Sequence, residues 1–212
     1  GSVLGRPAPE GPLTRHFATL ISRGAVLPDT DSAVTLFRRT DADRTWLATQ
    51  LARRPSRLLY VGHATAAEGD AGQAALHLAE AHPLSAGELM TARLAMPPRV
   101  ALLACTSGGD YRFDEATGLV AAFLLGGAVL VTATLWSLPT TAGYRRFCDG
   151  GESADPMAEA VIAVDSAHQA EDAGRALSAW QRGQLRRWCA GDLDASPLYW
   201  AALVTFAVDG AR

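Results

Sequence analysis

Short, wholly apolar runs separated by segments of helical period constrain this chain more than any other feature. Leu58-Leu59-Tyr60-Val61, Val100-Ala101-Leu102-Leu103-Ala104 and Ala128-Val129-Leu130-Val131-Thr132-Ala133 show no polar alternation. A strand with one wet face alternates apolar and polar residues, whereas a strand covered on both faces does not. Ala33-Val34-Thr35-Leu36-Phe37 and the stretch from Tyr199 to Val208 read as two further strands. Helical spacing runs from Arg44 to Arg53, Ser85 to Leu94, Ala116 to Leu125, Met157 to Val164 and Gly174 to Trp188. Strands of this kind alternating with helices predict an α/β fold: a doubly wound, mostly parallel sheet with helices on both faces. Ala75-Leu76-His77-Leu78 reads as a small hairpin arm beyond the second strand.

The 212 residues are 49% hydrophobic and 19% charged, which is enough apolar material for one packed domain. Residues 1–12, rich in Gly and Pro, are expected to be a flexible leading segment, and Gly1-Ser2 looks like a tag remnant. Residues 13–212 are expected to form the single domain. A formal charge of −3 without a basic cluster points away from nucleic acid. The longest apolar stretch, Ala121 to Leu135, is broken by glycines and falls short of the ~20 residues a membrane helix needs. Three widely separated cysteines suit a reducing, cytoplasmic setting better than a disulfide framework. His16, His77, His82 and His168 lack metal-ligand spacing, so neither metal nor cofactor is expected, and they read as surface or cap residues.

In open α/β sheets, sites gather beyond the carboxyl ends of the strands. Two apolar runs end in reactive residues. Val61 leads into Gly62-His63-Ala64, and Ala104 into Cys105-Thr106-Ser107-Gly108-Gly109. If these two strands are parallel neighbours, His63 and Cys105 emerge side by side. A free thiol has a pKa of about 8.5, so an imidazole that takes its proton makes it a competent nucleophile at neutral pH. The N–H of Cys105 and one near Ala64 are the natural donors to an oxyanion. Taken singly, a cysteine ending a buried strand is commonly a small core residue, and a strand-end histidine a structural one.

Five segments carry a resemblance. They are Leu58-Leu59-Tyr60-Val61-Gly62-His63-Ala64, then Leu102-Leu103-Ala104-Cys105-Thr106-Ser107-Gly108, then Gly118 to Ala128, then Thr134-Leu135-Trp136-Ser137-Leu138-Pro139, and last Pro197-Leu198-Tyr199-Trp200-Ala201-Ala202. In this order they resemble the motifs of the CHAT peptidases, over roughly residues 33 to 208. The resemblance implies a caspase-like fold akin to separases, metacaspases and legumains, and a bacterial-type cysteine endopeptidase. His63 and Cys105 would be its dyad and a peptide or protein its substrate. No metal would enter the chemistry, although some relatives need a metal or a protein partner for activation. Ala64 stands where the family more often has glycine. By their places in the motifs, Leu103, Trp136 and Ser137 would lie on the substrate side, with Asp110 close to the nucleophile. Leu103 replaces the Ser or Glu found two residues before the cysteine in relatives, and no Asp follows Leu135-Trp136. A basic P1 side chain wants a buried carboxylate. The matched positions supply none, which points to a small or apolar P1 unless an unmatched loop contributes the acid.

Two other function classes share these residues. One is a non-catalytic scaffold that binds a partner through the same cleft. The other is a dyad turned to acyl transfer or cyclisation, which would pass through the same thioester. Cys148 and Cys189 read as packing residues, Tyr199 and Trp200 as core anchors, and Arg182, Arg186 and Arg187 as a solvated basic stripe.

Overall fold

The computed structural model describes residue 4 and residues 7–65, 71–104, 114–147 and 154–208. In chain order its elements are α1 (Pro12–Ser22), α2 (Ala33–Leu36), α3 (Arg44–Ala52), β1 (Arg57–Gly62), β2 (Ala64–Thr65), β3 (Ala75–Leu76), β4 (Leu84–Ser85), α4 (Ala86–Ala92) and β5 (Arg99–Ala104). They continue with α5 (Asp114–Leu125), β6 (Leu130–Thr134), α6 (Thr141–Phe147), α7 (Pro156–Gln169), α8 (Ala173–Cys189), α9 (Pro197–Trp200) and β7 (Leu203–Ala207). The chain divides into two compact units: Gly1–Arg39 with Leu138–Ala202, and Thr40–Ser137 with Leu203–Arg212.

The second unit carries the main sheet, in the order β1-β5-β6-β7. β1, β5 and β6 run parallel, and β7 closes the edge antiparallel to β6. This is the mostly parallel α/β arrangement that the apolar runs predict. The absence of alternation has its physical counterpart in β5, where Val100, Ala101, Leu102 and Leu103 are all at most 3% exposed. One core cluster joins Val100, Leu102 and Val131 to Phe123 of α5, Leu89 of α4, Leu47 of α3 and Leu76 of β3. Each such side chain contributes roughly 1.5–3 kcal/mol by leaving water. α5 ends through glycine: Gly127 takes φ 108°, and Ala128 N–H donates to the Phe123 carbonyl at 3.0 Å. Only glycine adopts that conformation without steric cost. β2, β3 and β4 form a separate antiparallel sheet with β3 in the middle, so the expected hairpin arm has a third strand.

The first unit is helical. Leu13, Phe17 and Leu20 bury one stripe of α1, and α1 packs on α7, whose Met157, Ala160, Val161 and Val164 are fully buried. Phe17 meets Phe37 edge-on at 4.9 Å. His16 Nε2 and Asp165 Oδ2 share a hydrogen bond of 2.7 Å, and Gln169 Nε2 donates to the same oxygen at 2.6 Å. His168, read from sequence as a surface or cap residue, is 3% exposed and belongs to the core.

Two strand expectations fail. Ala33-Val34-Thr35-Leu36 is a helical turn, because Ser32 caps it by accepting from Val34 N–H at 3.2 Å. A short apolar run cannot by itself distinguish a strand from a helix. Tyr199 to Val208 splits into α9 and β7, because Pro197 at the first helical position and the Ser196 hydroxyl start a helix that Trp200 ends.

Candidate functional site

β1 and β5 are neighbours and parallel, with Gly62 and Ala104 as register partners. β6 lies on the other side of β5, also parallel. The carboxyl ends of these strands therefore open on one edge of the sheet. His63 follows β1 at that edge and is half-buried. Leu135, Trp136 and Ser137 follow β6 and are half-buried too. Leu103 is wholly buried within β5. Cys105, the next residue after β5, and Asp110 lie outside the described residues.

The main chain around His63 is tied from two directions. His77 N–H donates to the His63 carbonyl at 2.9 Å, which extends the β2–β3 pairing by one step. The Tyr60 hydroxyl reaches the same carbonyl at 2.6 Å and the His77 carbonyl at 2.9 Å. Tyr60 and Gly62 share a face of β1, since side chains alternate along a strand. The phenol ring passes so close over Gly62 that a Cβ there would stand 2.5 Å from the hydroxyl oxygen and 2.6 Å from the ring carbon bearing it. Glycine at this position is thus what lets the ring pass. Ala64, just beyond His63, is 4% exposed and adds its methyl to the core cluster.

His77 is the neighbour that sequence reasoning missed. Its Nε2 is hydrogen-bonded to the Thr65 hydroxyl across the small sheet. Its pKa is lowered below the ordinary imidazole value, first by partial burial and then by the charge of His63. Nothing in the spacing of residues 63 and 77 announces this meeting, because it is made by pairing strands of two residues each. Period two puts Tyr60 on the same face of β1 as Gly62, but it does not announce that the hydroxyl reaches the His63 carbonyl.

A polar clasp holds the segment beyond His77. Arg44, at the start of α3, bonds Glu80 through Nε at 3.0 Å and Glu88 through Nη1 at 2.9 Å. Glu88 completes a capping box with Ser85 at the start of α4. Its carboxyl is held down at about 2, chiefly by the Ser85 backbone N–H and then by Arg44. Among the described residues, no group of three or more His, Cys, Asp or Glu side chains could hold a metal ion. No helix among them is long and apolar enough to cross a membrane.

The family model of the CHAT domain matches residues 14–208. The chain belongs to the CHAT family. No curated protein matches it significantly. CHAT domains are part of the caspase-like clan of cysteine peptidases, and the parallel β1-β5-β6 order of this CHAT chain agrees with that fold class. The match extends over segments of both compact units. In the CHAT chain, the histidine motif ends β1 and the Leu-Trp motif follows β6.

Proposed function

We propose that this CHAT chain is a cysteine endopeptidase in which Cys105 is the nucleophile and His63 its base. The observation that carries the reading is the register of β1 and β5: the residues preceding His63 and Cys105 in the sequence, Gly62 and Ala104, stand opposite each other on parallel neighbouring strands. The thiol proton passes to His63, and the thiolate attacks the scissile carbonyl carbon. The oxyanion is met by the N–H groups of Cys105 and Ala64. Collapse breaks the C–N bond, and the imidazolium returns its proton to the leaving amine. Water, deprotonated by His63, then hydrolyses the thioester and restores the thiol. The P1 side chain meets Trp136 and Ser137, with Leu103 and Asp110 flanking the nucleophile in sequence. The lack of an acid at the matched positions favours a small or apolar P1. The substrate is a peptide or protein, met in a reducing compartment such as the cytoplasm, and a partner protein is the expected activator. Cys189, read from sequence as a packing residue, is exposed instead.

A peptide library cleaved by the wild type and by Cys105→Ala tests the reading. Cleavage should vanish in the variant, which removes the covalent route altogether. An electrophilic peptide should label Cys105 in the wild type and lose most of its rate in His63→Ala. Cleavage that persists without the thiol would exclude the assignment. Absence of both cleavage and labelling would favour a partner-binding scaffold.

A further inference from the structure

We propose that Tyr60 is a positioning residue for His63, acting through the main chain, an inference that rests on the dyad reading above. His63 sits where β1 ends and the small sheet begins. It has left the ladder of β1 at Gly62, and the sheet that follows has strands of only two residues. Sheets this short are marginal by themselves. The orientation of the imidazole follows the backbone dihedrals of its residue, so a base at such a junction needs an anchor elsewhere.

Tyr60 supplies one. Its ring packs against the core cluster of Val100, Leu102 and Phe123, which is built on rigid elements. Its hydroxyl ends at the junction, on the carbonyls of His63 at 2.6 Å and His77 at 2.9 Å. A phenol has one proton to donate, so these two carbonyls share it, and the shorter contact goes to His63. The His77 N–H closes the ring of contacts by donating to the His63 carbonyl. One core-anchored hydroxyl thereby fixes both strands at the point where the base leaves the sheet. Without that proton, the His63 carbonyl loses its 2.6 Å tie to the core-anchored ring, and small displacements at the base are costly: about 1 Å of misplacement takes off roughly a hundred-fold in rate.

Tyr60→Phe is the decisive variant, because it keeps the ring over Gly62 and in the core and deletes only the donor. The comparator is Tyr144→Phe, which deletes a phenol hydroxyl bonded to Asp194 at 2.6 Å, remote in sequence from the dyad motifs. With a peptide taken from the library, Tyr60→Phe should lower kcat about ten-fold and leave KM unchanged, whereas Tyr144→Phe should leave both unchanged. The His63 ring, followed by nitrogen NMR through a pH titration, should show a moved midpoint or split resonances in Tyr60→Phe alone. Equal kcat and an unaltered His63 titration in Tyr60→Phe overturn the proposal. If the wild type cleaves no peptide, the peptidase reading fails and the titration decides for Tyr60 by itself. An altered His63 signal then upholds the anchoring, and an unaltered one rejects it.

Discussion

Gly62 is constrained by a side chain two residues away. A methyl group at this position would lie 2.5 Å from the Tyr60 hydroxyl oxygen, inside any tolerable contact, so ring or strand must shift. Gly62→Ala should therefore cost about 1–3 kcal/mol of stability, the range of an overpacked site, and displace the anchor of His63. The ring's responsibility is tested by a cycle with Tyr60→Ala. Once the ring is gone, the added methyl at position 62 should cost little, leaving a coupling of about 0.5–3 kcal/mol in urea denaturation. Additive losses would show that Gly62 accommodates something other than Tyr60. At this scale the sequence was half legible. His63 could be placed at the end of a strand because Leu58-Leu59-Tyr60-Val61 is apolar throughout and Gly62 follows it. Its neighbours could not. Tyr60 reads as one more apolar residue of the run until the ring is seen to cross Gly62, and His77 arrives through strand pairing that composition does not encode. Cys105 and Asp110, which the sequence singled out, fall outside the described residues.

Among elements, the junction of α3, β4 and α4 has the most explicit electrostatic design. Arg44 caps no helix of its own and instead bridges Glu80 and Glu88, while Ser85 and Glu88 cap α4 reciprocally. The Glu88 carboxyl is lowered from 4.5 to about 2, first by the Ser85 backbone N–H and next by Arg44. A carboxyl depressed on folding stabilises the native state above its unfolded pKa, and the contribution is lost as pH falls through the folded value. The window here runs from 4.5 down to about 2. Glu88→Gln should therefore be less stable than wild type at neutral pH, and the gap should narrow as the pH is lowered through that window. Denaturant melts at a series of pH values measure it, and a gap independent of pH would remove Glu88 from the clasp. The elements themselves were read unevenly for physical reasons. α3, α4, α5, α7 and α8 show helical period in the sequence, and β1, β5 and β6 are apolar runs ending at glycine, a reactive residue or a threonine. α2 and α9, of four residues each, are set by a capping serine rather than by period. α1 and α6 went unread, although Pro12 and Pro139 flank their beginnings.

The path of the chain through the whole molecule follows no compositional boundary. It passes between the two compact units three times, at residues 39–40, 137–138 and 202–203, and no Gly- or Pro-rich linker marks any of these points. A reading built on linkers sees one body for that reason, and the motif from Thr134 to Pro139, which spans the crossing at 137–138, reinforces it. The last crossing has a mechanical consequence. β7 is the final described strand of the chain, yet it completes a sheet whose other strands were made much earlier in the sequence. It pairs with β6 from Leu130↔Ala207 to Thr134↔Leu203, adds a side-chain bond of 3.1 Å between Thr132 and Thr205, and places Phe206 against the core cluster. Ending the chain after Ala202 would leave β6 as an open edge, with Val131 and Thr132, each at most 1% exposed, newly accessible. Unpaired apolar edges recruit other chains. The truncated protein should therefore aggregate at concentrations where the full chain remains dispersed. By hydrogen exchange, the β6 amides that pair with β7 should lose protection, while those of α7 and α8 in the helical unit keep theirs. Uniform loss of protection across both units would mean that the chain unfolds as one body when β7 is removed. Unchanged protection of β6 would mean that the sheet does not depend on its closing strand.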